Sequence, residues 1–299
     1  MSRLTLWKSV CCGVALLSCL PALGDGVLVF AGRDPRWREA VDGFKEAYGS
    51  AGLADISKES DLTRRLAANP PKLIVAIGSE EVQAAAKRRG TIPLLYVVRD
   101  PASLELGGEN VAGVSIDIPF KTQLQIFKAL IPNLKTLGVI YKKGKSSEVL
   151  QNAVPVCKEL NVDILPVPIT SPEDMASAYA LIEPLVDALL MVMVYEKSFS
   201  PPNTYDFLLK QTKERNLPFL STDESLVKVG ALCAVVTDYR ELGRRCGELA
   251  KEFERSGKKL TQFSPPALPV HAVIKKSTAE RFSSLIPRGM LESPTVLIP

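Results

Sequence analysis

Leu73-Ile74-Val75-Ala76-Ile77-Gly78-Ser79-Glu80-Glu81-Val82-Gln83-Ala84-Ala85-Ala86-Lys87-Arg88-Arg89-Gly90-Thr91-Ile92-Pro93-Leu94 is the stretch that decides the fold of this chain. Leu73–Ile77 is a short apolar run bounded by turn residues, which reads as a buried strand. Gly78-Ser79 makes a turn, Glu80–Arg89 a helix, and Thr91–Leu94 opens the next strand, with Asp100 beyond it. The same phrase returns from Asp187: strand Ala188–Val194, a polar turn, helix Thr204–Arg215, strand Asn216–Phe219, then Asp223. A strand–turn–helix–strand unit used twice predicts two similar α/β lobes. In such folds ligands sit beyond the carboxyl ends of the strands, so two facing lobes predict a cleft that holds something small.

Outward from these copies the alternation continues. Strands are expected at Val27–Ala31, Ala54–Ser57, Leu94–Val98, Val111–Ile116, Leu134–Tyr141, Val162–Val167, Ala231–Val236 and Pro269–Ile274. Helices are expected at Arg36–Tyr48, Asp61–Ala68, Phe120–Leu130, Ser146–Leu160, Tyr239–Ser256 and Ser277–Phe282, with one more starting at Ser171-Pro172-Glu173-Asp174 and a proline-spaced tail at the end. Ala40, Val41, Phe44 and Ala47 share one helical face. Strands alternating with helices predict a parallel sheet in each lobe, covered on both faces. With no long linker, the lobes must be joined by short crossings near Gly113–Asp117, near Val236–Tyr239 and between Lys259 and Pro269. This divides the chain into a first lobe of residues 25–115 plus about 237–262 and a second of 116–236 plus about 266–299, and makes the crossings a hinge.

Hydrophobic residues at 46% and charged residues at 23% of 299 are those of an ordinary globular protein. A net charge of +4, with Lys and Arg dispersed, argues against a nucleic-acid partner; the run Tyr141-Lys142-Lys143-Gly144-Lys145 reads as a solvated loop. Arg3 and Lys8 precede the uncharged run Val10–Leu20 and the small-residue pattern Ala22-Leu23-Gly24, which predicts a signal peptide over residues 1–24 cleaved before Asp25. Cys19 after Leu16-Leu17-Ser18 leaves a lipid-anchored form as the alternative. The protein is therefore expected to be exported, periplasmic and monomeric. Cys157, Cys233 and Cys246 remain in the mature chain without metal-like spacing and read as buried thiols, a Cys233–Cys246 bridge being the alternative.

Catalytic constellations are thin. His271 is the single histidine, inside an apolar strand, and reads as structural. The P-loop, Gly-x-Ser-x-Gly and dinucleotide glycine patterns are absent. Neither cofactor nor metal is expected. A racemase built on Cys157 and Cys233 is the enzyme alternative, although both fall within regular elements rather than at strand-to-helix turns. The turns instead offer helix starts: Asp34, Ser79 and Ser146-Ser147. Free N–H groups there favour anionic ligand groups, yet every helix also needs a cap and serine is a preferred one.

The ordered set Leu73–Ser79, Ile92-Pro93-Leu94, Asp100-Pro101, Asn110–Ser115, Leu137–Tyr141 with Ser146-Ser147, Val186–Leu189, Gly230-Ala231 and Asp238-Tyr239 with Leu242-Gly243 resembles the ABC-transporter substrate-binding proteins of the tryptophan/tyrosine-binding type. The likeness runs from about Leu73 to about Ile286. It implies a type I periplasmic-binding-protein fold of two Rossmann-like lobes with a multi-crossing hinge. Such a protein closes on a small solute, often an aromatic amino acid, and delivers it to a membrane permease; a sensor that signals to a membrane receptor is the alternative use of the same fold. Carried over by position, the resemblance implies ligand contacts at Gly78 and Ser79, at Asp100, at Ser146 and Ser147, and at Tyr195 and Glu196, with Asp223, Asp238 and Tyr239 on the rim. Arg99 offers a carboxylate clamp, and Tyr141, Tyr195 and Trp37 offer stacking surfaces. This chain departs from the family in placing Glu80 and Glu81 at the helix start after Ser79, where acids compete with a ligand carboxylate for the same N–H groups.

Overall fold

Five residues without a polar side chain, Val27–Ala31, form strand β1, and all five are buried. It pairs in parallel with β2 (Leu53–Ile56) on one side and β3 (Leu73–Ile77) on the other; β4 (Leu94–Val98) and β5 (Val111–Ser115) extend the sheet in the order β2-β1-β3-β4-β5. Apolar runs of this kind need cover on both faces. On one face Val27, Val29, Val75 and Ile77 pack with Val41 and Phe44 of α1 (Pro35–Tyr48) and with Leu242, Cys246 and Ala250 of α9 (Tyr239–Ser256). On the other, Leu28, Phe30, Ile74 and Ala76 pack with Leu62 of α2 (Glu59–Ala68) and with Val82 and Ala85 of α3 (Ser79–Arg88). This computed structural model describes residues 26–104, 106, 108–192, 203–290 and 296–298, with side chains described at all of these except 145–149, 151, 152, 191, 192, 203, 204 and 296–298.

Helices α1 and α9 touch backbone to backbone. A Cβ on Gly43 would lie 1.9 Å from the carbonyl oxygen of Arg240, and one on Gly243 would lie 1.8 Å from that of Ala40. Glycine is required at both places because nothing larger fits between the two helices.

The second sheet begins after α4 (Phe120–Leu130) and runs through β6 (Thr136–Lys142), α5 (Lys145–Glu159), β7 (Asp163–Ile169), α6 (Met175–Ile182), β8 (Ala188–Val192), α7 (Asn203–Glu214), β9 (Phe219–Ser221), α8 (Glu224–Val229) and β10 (Cys233–Thr237). After α9 come β11 (Val270–Lys275), α10 (Lys276–Arg281) and β12 (Val296–Ile298). The described strand order is β12-β11-β10-β9-β8-β6-β7. One face packs Leu137, Val139, Leu190 and Val235 against Leu124 and Phe127 of α4, the other packs Ile140, Leu189 and Phe219 against Tyr179 and Leu208. Asp187, the first residue of the second copy, ties β8 to β6: its Oδ2 accepts the backbone N–H groups of Lys135 and Thr136, both at 2.8 Å.

Three findings go beyond the sequence reading. The second sheet is not wholly parallel, since β11 runs antiparallel to β10 with Thr237 opposite Val270. The chain leaves β10 for α9 on the first sheet and re-enters at the same end, where the Asp238 N–H donates to Pro269 O at 2.9 Å. A strand that starts where its neighbour stops must run back along it. Second, α8 lies between β9 and β10, and at six residues it is too short to show a helical period. Third, the tail holds β12, paired in parallel with β11.

Cys157 and Cys233 belong to the core of the second sheet and Cys246 to that of the first; all three are free and buried. The bridge between Cys233 and Cys246 is thereby overturned. Burial pushes the Cys157 thiol up to about 11 and those of Cys233 and Cys246 up to about 12. Among the described residues no helix is long and apolar enough to cross a membrane.

Candidate functional site

Ala31 of β1 and Ile77 of β3 are register partners, so the glycines that follow them, Gly32 and Gly78, sit side by side at the carboxyl edge of the first sheet. Gly78 takes a φ of +112°, a value L side chains rarely adopt, and its N–H donates to Val97 O at 3.0 Å. That turn starts α3, with Ser79 exposed at its first position.

The side chain of Glu81 folds back over both glycines. Its Oε1 lies 2.8 Å from where a Cβ on Gly32 would be, and its Oε2 lies 2.2 Å from the same point on Gly78. Trp37 of α1 shares the space: its Cδ1 is 3.3 Å from the Gly32 point and its Nε1 3.4 Å from the Gly78 point. Tyr239, the first residue of α9, meets the Trp37 ring edge-on, centroids 5.4 Å apart at 85°. The Arg36 guanidinium lies 5.8 Å from the Trp37 ring centre and is held by Asp34 at 2.6 Å. Loss of solvent raises the Glu81 carboxyl above its ordinary range; its own backbone N–H opposes the shift, and the charge of Glu80 adds to it.

The remaining first-sheet candidates are engaged locally. Arg99, at the end of β4, pairs with Asp117 at 3.3 Å across the first crossing. Desolvation still raises the Asp117 carboxyl, with Arg99 opposing and Asp100 adding. Asp100 accepts the Ser103 N–H at 3.2 Å and caps the 3₁₀ turn Pro101–Ser103. Ser115 donates its hydroxyl to Arg99 O at 2.7 Å, which ties the end of β4 to the crossing.

On the second sheet, Tyr141 is half-buried near the end of β6 and packs on the core. Ser146 and Ser147 stand in the first turn of α5, with their side chains outside the described residues; Tyr195 and Glu196 lie outside them altogether. Asp223 caps α8, accepting the Ser225 N–H at 2.8 Å. Asp238 caps α9, accepting the Glu241 N–H at 2.9 Å, and its Oδ2 is 4.0 Å from His271 Nδ1. His271 occupies a strand position opposite Val236. Cys157 and Cys233 share one buried core rather than facing each other across a cleft, so the thiol-pair enzyme has no geometry here.

The structure thus gathers Gly78 and Tyr239 with Trp37, and adds Gly32, which sequence reasoning did not single out, and the carboxylate of Glu81, which it read only as a competitor of the ligand at the helix start. The signal for Glu81 was its position three residues after Gly78, the third of the helix, from which an acid folds back toward the helix start. Asp100, Asp223 and Asp238 are each committed to a cap.

The model of the family described as ABC transporter substrate binding protein matches residues 38–294. A tyrosine-binding protein of Clostridioides difficile (strain R20291) is 27% identical over 207 residues, covering 66% of this chain and 59% of that relative; the chain thus spans less than two thirds of its length. Among solved structures, the ligand-free, open form of a substrate-binding protein with adhesive properties from Clostridium difficile has a TM-score of 0.76 at 18% identity, covering 92% of this chain and 99% of that one. An ABC domain from Streptococcus pneumoniae in complex with L-Trp has a TM-score of 0.57 at 22% identity, covering 92% and 100%. Both show the same two-lobed fold. With the family match covering residues 38–294, which include every crossing between the two sheets, this chain belongs to the ABC transporter substrate-binding proteins.

Proposed function

We propose that this protein is exported to the periplasm after loss of residues 1–24, binds a small aromatic solute between its lobes, and presents it to the permease of an ABC importer without transforming it. The solute class is an aromatic amino acid or a close relative of one. The observation that carries this reading is the edge-on Trp37–Tyr239 pair standing beside the Gly78 turn at the carboxyl edge of the first sheet, where ligands of α/β folds sit. The tyrosine-binding and L-Trp-complexed relatives support the class. The lobes are residues 25–115 with about 237–262, and 116–236 with about 266–299. The crossings at 116–119, at Asp238 and at 257–269 act as the hinge on which they close, and the closed form is what the membrane partner reads. Of the described side chains, Ser79 and Tyr141 are the further ligand contacts this reading takes.

Thermal-shift measurements with L-tyrosine, L-tryptophan and L-phenylalanine test the proposal. A ligand at a hundred times its Kd stabilises the fold by about 2.7 kcal/mol. Ser79→Ala and Ser147→Ala are expected to shrink that shift. A shift of equal size in wild type and both variants places the site elsewhere, and no shift with any of the three amino acids overturns the solute class.

A further inference from the structure

We propose that the first lobe of this protein receives a cationic group of its ligand, an ammonium or related nitrogen cation, on the carboxylate of Glu81 with the Trp37–Tyr239 pair as its apolar wall. The inference rests on the reading of the cleft as a binding site for a small aromatic solute and specifies which end of that solute meets the first lobe.

The geometry carries it. Glu81 does not reach outward from α3 as a surface acid does; its two carboxylate oxygens span the space above Gly32 and Gly78, at the ends of adjacent paired strands. Only glycines at both places leave room for it. The pyrrole edge of Trp37 bounds the same space, and Tyr239 meets that ring edge-on, so the acid has an aromatic flank. The charge that raises this carboxylate is Glu80, a like charge. Arg36, whose guanidinium lies 5.8 Å from the Trp37 ring centre, is paired with Asp34. A half-desolvated carboxylate facing a like charge gains most from an incoming cation. An aromatic wall adds attraction for a nitrogen cation. By the same argument a ligand carboxylate is repelled from this lobe, because Glu81 already lies over the start of α3.

Calorimetric titration of wild type with three probes of shared ring and different charge tests this: L-tyrosine, tyramine, which lacks the carboxylate, and 3-(4-hydroxyphenyl)propanoate, which lacks the amine. Tyramine is expected to bind at least as tightly as tyrosine, and the propanoate at least tenfold more weakly. Glu81→Gln, with far-UV circular dichroism confirming the fold, is expected to weaken tyramine by about ten- to a hundredfold, the range of a charge-assisted hydrogen bond. Glu81→Ser, which clears the start of α3, is expected to move the preference toward the propanoate. Binding of the propanoate but not tyramine to wild type, or tyramine affinity unchanged in Glu81→Gln, overturns the inference and leaves the solute-binding reading standing. Failure of all three probes, and of the matching amino acid, amine and propanoate sets built on the tryptophan and phenylalanine rings, overturns both.

Discussion

Gly78 shows how a single residue sets both a backbone turn and the space beside it. Its φ of +112° excludes most side chains, and the point where a Cβ would sit is 2.2 Å from the Glu81 carboxylate. Gly78→Ala is expected to cost about 1–2 kcal/mol through the unfavourable φ, measured by denaturant unfolding, and to push Glu81 off the glycine pair. Asp187 is a second such residue. It holds two backbone N–H groups of a neighbouring strand at 2.8 Å from an exposed position, so water replaces it in part. Asp187→Ala is therefore expected to lower stability by only about 1 kcal/mol, read as a shift of the urea midpoint at unchanged m-value. Asp100, Asp223 and Asp238 show what the fold adds at this scale: an aspartate after a strand reads as ligand contact or cap, and each of these accepts an N–H of the turn that it starts.

At the scale of elements, the α1–α9 pair sets the architecture of the first lobe although about 190 residues separate the two helices in the chain. Gly43 and Gly243 let the backbones touch, so Gly243→Ala is expected to destabilise by about 1–3 kcal/mol or more through overpacking, measured by thermal unfolding. The start of α9 is also an ion-pair cluster, with Glu241 Oε2 accepting from Arg244 at 2.7 Å and Oε1 from Arg245 at 2.8 Å. These hydrogen bonds hold the Glu241 carboxyl at about 2, against 4.5 ordinarily. A carboxyl lowered by folding stabilises the protein above its unfolded pKa, and loses that contribution as pH falls toward its folded one. The melting-temperature gap between wild type and Glu241→Gln is therefore expected to be full at neutral pH and to close between about 4.5 and about 2. A gap independent of pH in that window contradicts it. α9 was legible as a helix from its own sequence, but nothing local to it said that it belongs on the first sheet.

Over the whole molecule, two sheets exchange chain at three crossings, two of them fastened together where the Asp238 N–H meets Pro269 O. Closure about these crossings is expected to reduce the radius of gyration in small-angle scattering when L-tyrosine is saturating. An unchanged radius with bound ligand contradicts the hinge. The family match along 38–294 gives this arrangement its setting among substrate-binding proteins.

What the sequence determined by itself is everything with a local cause. Leu73–Ile77 and Val27–Ala31 are strands because an apolar run of five between turn residues has nowhere to go but a covered sheet. The two lobes follow from the repeated phrase. Tertiary structure alone decided the rest, because the deciding partner lies far away in the chain. β11 is antiparallel because of where α9 returns the chain. Cys233 and Cys246 stay free because they belong to different cores. Glu81 lies over the two turns because Gly32, Gly78 and Trp37, brought from separate elements, leave a space that its carboxylate fills.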